Sequence, residues 1–402
     1  MPNAILTRAI DSLAQRRDLS AEETAEVLEQ IMHGEVSETQ IAGFLIALRT
    51  KGETVDELTG LARTMRELAA HVPVTRTDLL DTAGTGGGRS TFNVSTTAAL
   101  IAAGAGCAVA KHGNRSATSR SGSADLLEAL GARIDLDPDG VAACIEDAGF
   151  GFMFAPAHHQ ATRFVVPVRR DLAVRTIFNF LGPLTNPAGA RRQLIGVSDP
   201  AYLETIAGAI ARLGVDRALV VSSVDGLDEI SIGAATHVIE VAGEELTRYV
   251  LAPGDVGVQP TITADRWAVD RGAMDDGAAD RGATDDGGVD RGATDDGAVD
   301  RGVADDELAL AGGSPQENAA VARAIFAGEA GPRTELAVIN AGAAIYAAGG
   351  AESIAVGVTA AREALVSGQA GAALERFVQA SRAHASGKPT AGTGTRTEAA
   401  AR

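Results

Sequence analysis

The segment Asp81-Thr-Ala-Gly84-Thr85-Gly86-Gly87-Gly88 follows an apolar run and leads, through Thr91, into Asn93-Val94-Ser95-Thr96. Glycines let backbone N–H groups approach an anion closely, and hydroxyls at a helix start add donors where the dipole is positive. The chemistry described is a phosphate cradle. The plain alternative is a tight turn with an ordinary N-cap, and the segment has neither the GK[ST] of a Walker loop nor the spacing of a dinucleotide fingerprint. A second loop narrows the choice. Lys111-His112-Gly113-Asn114-Arg115-Ser116 follows the apolar Cys107-Ala-Val-Ala110, which places it at the C-terminal edge of a strand, where open α/β sheets bind ligands. Lys111 and Arg115 flanking a glycine, with Ser116, Thr118, Ser119 and Ser123 beyond, make a second anion-binding loop; a solvated charged loop is its alternative. His112 is a weak candidate for proton transfer and is equally at home as a structural residue.

Two further groups carry chemistry. Arg169-Arg170 precedes Arg175-Thr-Ile-Phe-Asn179-Phe-Leu-Gly182-Pro183-Leu-Thr185-Asn186-Pro187, an apolar stretch bounded by Asn, Gly and Pro that reads as a rigid hinge or wall. Arg169 could hold a carboxylate bidentately, surface Arg being the alternative. Gly226-Leu-Asp228-Glu229-Ile-Ser231 follows a strand, and adjacent carboxylates there suit Mg²⁺, which takes one or two carboxylates beside a substrate's phosphates. In so acidic a chain, an exposed acidic pair is the competing reading.

The elements that must position these residues are legible in the periodicity. Over the first 70 residues, Ser20/Glu23, Ser37/Gln40 and Thr54/Glu57 each have the spacing of a capping box. Gly34 and Gly52 fall where C-terminal caps are needed, and Leu28, Ile31, Ile41, Phe44, Leu45 and Leu48 recur at helical spacing. This predicts a small α-helical domain over 1–72, with a later contribution near 188–212. From Leu79, short apolar runs alternate with amphipathic helices, among them LLDTAG, CAVAKHG, ARIDL, FGFMFAP and RALVVSS. That alternation predicts a larger α/β domain over 78–187 and 213–384, with a mainly parallel central sheet flanked by helices.

Composition sets the outer limits. The 402 residues are 45% apolar but only 3% aromatic, so Ala, Val, Leu and Ile must build the core of an ordered chain of two or three domains. The net charge of −18 argues against a nucleic-acid binder. Just three of the 35 basic residues are lysines, Lys51, Lys111 and Lys388, a balance expected of a salt-loaded cytoplasm. Residues 265–307 repeat DRGAxDDGxx and carry thirteen Asp and one Glu against five Arg, a net −9 that is half the charge of the whole chain. With almost nothing to bury, the segment 260–307 is expected to be a disordered insertion, like the tail 385–402. A calcium-binding β-roll lacks its nine-residue period and apolar ladder here. Cys107 and Cys144 have neither CxxC nor CxxH spacing and are expected in the core. No signal-peptide run and no 18-residue apolar segment appears, which predicts a cytoplasmic protein without membrane contact.

GTGG with NVST, KHGNR, GSADLLEALG, RTIFNFLGPLTNP and GLDEIS, in this order over roughly residues 1–255 and 308–380, resembles anthranilate phosphoribosyltransferase of tryptophan biosynthesis. The resemblance implies a small helical domain hinged to an α/β domain, and a homodimer. It implies phosphoribosyl pyrophosphate at Gly84, Gly87, Gly88, Thr91, Asn93, Val94, Ser95, Thr96, Lys111, His112, Gly113, Asn114, Arg115, Ser116, Ala117, Thr118, Ser119 and Ser123. It further implies Mg²⁺ at Ser95, Asp228 and Glu229, and anthranilate at Gly84, Asn114 and Arg169. Two features depart from the family pattern: the loop after GTGG is shorter, which bears on Gly88 and Arg89, and the insertion is extra. A pyrimidine nucleoside phosphorylase shares the architecture but fits KHGNR and GPLTNP less well; a non-catalytic nucleic-acid-binding relative conflicts with the charge.

Overall fold

The computed structural model describes residues 2–116, 119–258 and 310–385. The acidic repeats of 260–307, the tail over 386–402, and Ala117 and Thr118 of the second loop lie outside the described residues.

Helices α1 (Ala4–Ala14), α2 (Ala21–Met32), α3 (Glu38–Lys51) and α4 (Val55–Glu67) open the chain. Ser20 and Thr54 head α2 and α4 with reciprocal bonds to Glu23 and Glu57. Ser37 caps α3 through its hydroxyl, but the expected return bond from Gln40 is absent. The Gln40 amide instead accepts from Asn3 N at 2.9 Å and donates to Asn3 O at 3.0 Å, tying α1 to α3. An amide can serve both backbone groups at once, which a carboxylate cannot.

The larger unit runs β1 (Leu80–Gly84), α5 (Val94–Gly104), β2 (Val109–Gly113), α6 (Ser123–Ala129), α7 (Pro138–Ala148), β3 (Phe150–Phe154), α8 (Ala155–His158), α9 (Val166–Leu172), α10 (Phe178–Leu184), β4 (Arg192–Gly196), α11 (Leu203–Arg212), β5 (Arg217–Ser223), β6 (Thr236–Ala242) and β7 (Glu245–Leu251). It closes with α12 (Pro315–Phe326), α13 (Pro332–Ala347), α14 (Ile354–Val366) and α15 (Gln369–Ala383). The sheet order is β3-β2-β1-β4-β5-β6-β7, parallel as far as β5 and antiparallel beyond it. The expected fold class, helical domain plus mainly parallel α/β domain, is the observed one. The apolar run Ala132–Leu136 pairs with no strand: Ala132, Ile134 and Leu136 are buried, while Arg133 N–H donates to Ser381 Oγ of α15.

Strand alternation divides the interior in two. Leu194, Leu219 and Val221 face a core with α5, α7 and α13 to α15, whereas Ile195, Ala218 and Val220 face a core shared with α1 to α4. Helices α9, α10 and α11 contribute Val168, Phe178, Leu181, Leu184, Ile206 and Ile210 to this second core, so they cement the helical unit onto the sheet. The stretch 188–212 is therefore split: Arg192–Gly196 is a central strand, and only Leu203–Arg212 packs on α4. Cys144 is buried, as expected, while Cys107 keeps partial exposure. Among the described residues no helix is long and apolar enough to cross a membrane.

One strained position lies between the two units. Helix α9 ends on Ala173 in the left-handed region, φ +52° and ψ +26°, where an L-residue costs about 1–2 kcal/mol. Ala173→Gly removes that strain at some cost in unfolded-chain entropy, and should raise the melting temperature by about 1–3 °C in a thermal scan. An unchanged or lowered melting temperature would show that the turn is not strained.

Candidate active site

Because β2, β1, β4 and β5 are parallel, their C-terminal ends share one edge of the sheet, and the loops leaving them converge there. The glycine turn after β1 crosses the loop after β5 at backbone distance. Thr85 N donates to Gly196 O at 2.9 Å, Gly86 N to Asp228 Oδ2 at 3.0 Å and Arg89 N to Gly226 O at 3.1 Å. A Cβ on Gly84 would stand 2.6 Å from Asp228 Oδ2, one on Gly88 2.8 Å from Gly226 O, and one on Gly196 would collide with Asp228 O. Gly86 and Gly87, at φ +65° and +82°, make the turn itself.

The loop after β5 holds three carboxylates with different surroundings. Asp225 is satisfied by Ser223, by Ser231 and by Arg89. Asp228 has the Gly86 N–H and the attraction of Arg175. Glu229 has the Thr91 side chain as a neighbouring donor, but its Oε2 is buried with no partner among the described residues. Burial raises the Asp228 carboxyl above its ordinary range; for Glu229 burial and then the charges of Asp228 and Asp225 raise it well above. The α13 residue Asn340 fixes this loop by accepting from Ile230 N and donating to Ile230 O, both at 2.9 Å. An orphaned carboxylate oxygen beside a second carboxylate, under a turn of open N–H groups, fits Mg²⁺ shared with a substrate's phosphates. Among the described residues no group of three or more His, Cys, Asp or Glu could hold a metal.

Beneath the cradle lies Lys111. It sits within β2, not on the loop where the sequence placed it, because the strand's alternation turns its side chain under the start of α5. Its ammonium donates to Thr82 O, to Thr82 Oγ1 at 3.2 Å and to Ser95 Oγ at 3.4 Å. Burial lowers its pKa to about 8 against the attraction of Asp81. Its neighbour His112 faces the other side of the sheet. His112 N donates to Asp81 Oδ1, and Asn186 Nδ2 donates to Asp81 Oδ2 at 2.8 Å, so the GPLTNP segment is a wall pinned to β1 and β2. His112 Nδ1 lies 3.0 Å from Gly182 O and must carry the proton to bond it, which leaves Nε2 as a buried lone pair with no partner. Burial, with His159 at 5.0 Å between rings, lowers its pKa to about 3, so the ring is neutral.

Other expected contacts are placed differently from a free anion-binding loop. Asn93 makes no cap bond; its side chain joins Ser121 and Asn318, pinning the second loop and α12 to the start of α5. Arg115 is turned onto Asp125 and Glu128 of α6, so its guanidinium is already paired. Ser116 bonds Ser119, and Ser123 donates to Asn114 O. Thr96 is fully buried with an unpartnered hydroxyl. What remains open to a ligand, among the described residues, is the backbone N–H of Gly87 and Gly88, with the hydroxyls of Thr91 and Ser95, because Thr85 N, Gly86 N and Val94 N already donate to Gly196 O, Asp228 Oδ2 and Phe92 O. Arg169, on α9, stacks over Phe178 at 5.6 Å and has no carboxylate partner among the described residues; burial lowers its pKa. Arg175, Gly196 and Ser198 belong to this edge as well, and only Arg175 had been singled out by sequence, as part of the wall.

The chain matches the helical bundle domain of a glycosyl transferase family over residues 7–69 and the a/b domain of that family over 76–271 and 298–371. It is 46% identical over 380 residues to an anthranilate phosphoribosyltransferase of Rubrobacter xylanophilus, covering 94% of this chain and 98% of that one. To the anthranilate phosphoribosyltransferase of Moorella thermoacetica it is 42% identical, covering 93% and 98%. The crystal structure of the Thermus thermophilus anthranilate phosphoribosyltransferase superposes with TM-score 0.78 at 42% identity, over 93% of this chain and 99% of that one. The Saccharomyces cerevisiae anthranilate phosphoribosyltransferase in complex with PRPP and Mg shares the fold, with TM-score 0.77 at 24% identity, over 95% and 99%.

Glu229 gives this edge a measurable sign. The unfolded chain releases the Glu229 proton near the ordinary carboxylate pKa and the folded chain only well above it, so the group costs stability once pH exceeds the unfolded value. Glu229→Gln should therefore raise the melting temperature of the metal-free protein at pH 7.5 and abolish most of any stabilisation by millimolar Mg²⁺. If Mg²⁺ shifts the melting of wild type and variant equally, Glu229 does not hold the ion.

Proposed function

The chain belongs to the anthranilate phosphoribosyltransferase family, and from that premise we infer how its cleft carries out the reaction: the phosphoribosyl group of 5-phosphoribosyl 1-pyrophosphate passes to the amino nitrogen of anthranilate, releasing pyrophosphate, in tryptophan biosynthesis. The observation that carries the reading is the crossing of the glycine turn over Asp228 and the unpartnered Glu229. It supplies backbone donors for phosphates and anionic oxygens for a divalent ion in one place.

In this reading Gly87 and Gly88 offer N–H groups to the donor's phosphates, Gly84, Val94 and Gly113 line the cradle, Thr91 and Ser95 add hydroxyls, and Lys111 supplies positive potential from beneath. Asp228 and Glu229, with Ser95 nearby, would hold Mg²⁺, which when bound neutralises charge on the departing pyrophosphate. Arg169 takes the carboxylate of anthranilate, which Gly84 and Asn114 help to seat. C1 of the ribose loses pyrophosphate with oxocarbenium character, so no side-chain nucleophile is needed; the arylamine has only to be held in line. The neutral His112, with its free Nε2, is the candidate for accepting the amine's proton. We place the enzyme in the cytoplasm as a homodimer acting on small molecules, not on nucleic acid or membranes.

Purified protein with anthranilate, phosphoribosyl pyrophosphate and Mg²⁺ should consume anthranilate fluorescence. Phosphorolysis of thymidine or uridine without anthranilate turnover would favour a nucleoside phosphorylase. Arg169→Ala should raise the KM for anthranilate about 10- to 100-fold, the loss of a charge-assisted contact worth about 1.5–3 kcal/mol, with the KM for the donor little changed. An unmoved anthranilate KM would remove Arg169 from the acceptor site.

A further inference from the structure

Arg175 stands three residues beyond the end of α9, the helix that carries Arg169, and reaches across to the glycine turn. Its Nη1 donates to Ser198 Oγ at 2.9 Å. Ser198 Oγ in turn donates to Gly86 O at 2.9 Å, and Ser198 N donates to Thr85 Oγ1 at 3.2 Å. The guanidinium also lies directly against Gly87: a Cβ there would be 2.7 Å from Nη1 and 3.0 Å from Cζ. Its positive charge acts on Asp228, whose carboxylate accepts from Gly86 N. Both backbone faces of Gly86 are thus fixed, the N–H by Asp228 and the carbonyl through Ser198 by Arg175. Nη2 is buried and has no partner among the described residues, an arrangement that costs stability unless a ligand supplies an acceptor.

We propose that Arg175 is a positioning residue for the phosphoribosyl donor: with Ser198 as its intermediary it holds the Thr85–Gly88 turn in the shape that receives phosphate, and it ties that turn to the segment bearing Arg169. The proposal rests on the function inferred above and extends it to a residue outside the phosphate loops. Guanidinium geometry is required, because one group must meet Ser198, lie against Gly87 and keep a donor in reserve; a lysine has a single point of attachment.

Calorimetric titration of phosphoribosyl pyrophosphate with Mg²⁺ into the intact protein reads donor binding without requiring transfer, and steady-state kinetics read both KM values. Arg175→Gln should weaken donor binding about tenfold or more, leave the anthranilate KM within twofold, and regain donor binding when millimolar methylguanidinium is added. Arg175→Lys should behave like Arg175→Gln. Ser198→Ala, which keeps the charge and removes the intermediary, should weaken donor binding severalfold and should not respond to methylguanidinium. Should the Arg175 variants fail to fold, Ser198→Ala alone decides. Donor affinity within twofold of wild type in Arg175→Gln or in Ser198→Ala overturns the proposal, as does an Arg175→Gln defect that methylguanidinium leaves untouched. Wild type that binds donor but does not consume anthranilate would instead sink the functional reading while leaving the role of Arg175 measurable.

Discussion

Between the glycine turn after β1 and the loop after β5 there is no room for a side chain on the turn's Gly84 or Gly88, and the Gly86 N–H that closes on Asp228 Oδ2 turns this proximity into a bond. Much of the cleft follows from that crossing. It forbids side chains at Gly84, Gly88 and Gly196, and it leaves the Gly87 and Gly88 N–H groups without a protein acceptor among the described residues. It also brings two carboxylates from one loop under donors from another. Parallel strands make the crossing possible by delivering both loops to the same edge; the α13 residue Asn340 keeps the second loop from retreating.

Charge is arranged in depth around this point. Lys111 lies below the cradle with its ammonium on Thr82 and Ser95, Asp81 lies on the opposite face bonded to His112 and Asn186, and Glu229 lies at the front with an oxygen unanswered. A buried ion is costly unless paired or hydrogen-bonded, and the cost grows as water is excluded. Asp81 and Lys111 are compensated by protein groups, so they belong to the scaffold. Glu229 is compensated only in part, so its desolvation is stored until something cationic enters. That difference separates a structural carboxylate from a ligand-binding one better than burial alone.

The sequence made the fold class plain because capping pairs such as Ser20/Glu23 and the alternation of strands with helices are local signals. It also located the four segments that meet at the sheet edge, since glycine runs and clustered charges announce themselves. It could not show which side chains in those segments are already engaged. Asn93 and Arg115 read as anion contacts, yet one pins two loops and the other pairs with Asp125 and Glu128, relations that depend on residues far away or on the opposite side of a turn. Lys111 reads from the sequence as part of an anion-binding loop at a strand's C-terminal edge, whereas the strand runs through it. Ser198 left no trace, being a lone serine between a strand and a helix. Helices α9 and α10 went with the sheet by position in the chain, while packing assigns them to the helical core.

The second core has a temporal consequence. Leu58, Leu61 and Met65 of α4 are buried together with Ile206 and Ile210 of α11, and Arg66 donates to Leu213 O across a separation of 147 residues. At roughly 5–20 residues per second, synthesis delivers the partner about 7–30 s after α4. During that interval the N-terminal helices leave the ribosome with the part of their apolar seam that α11 covers still exposed. The seam of α4 is therefore where a nascent-chain chaperone would find its longest-lived target, and a pause in translation before residue 203 would lengthen its exposure.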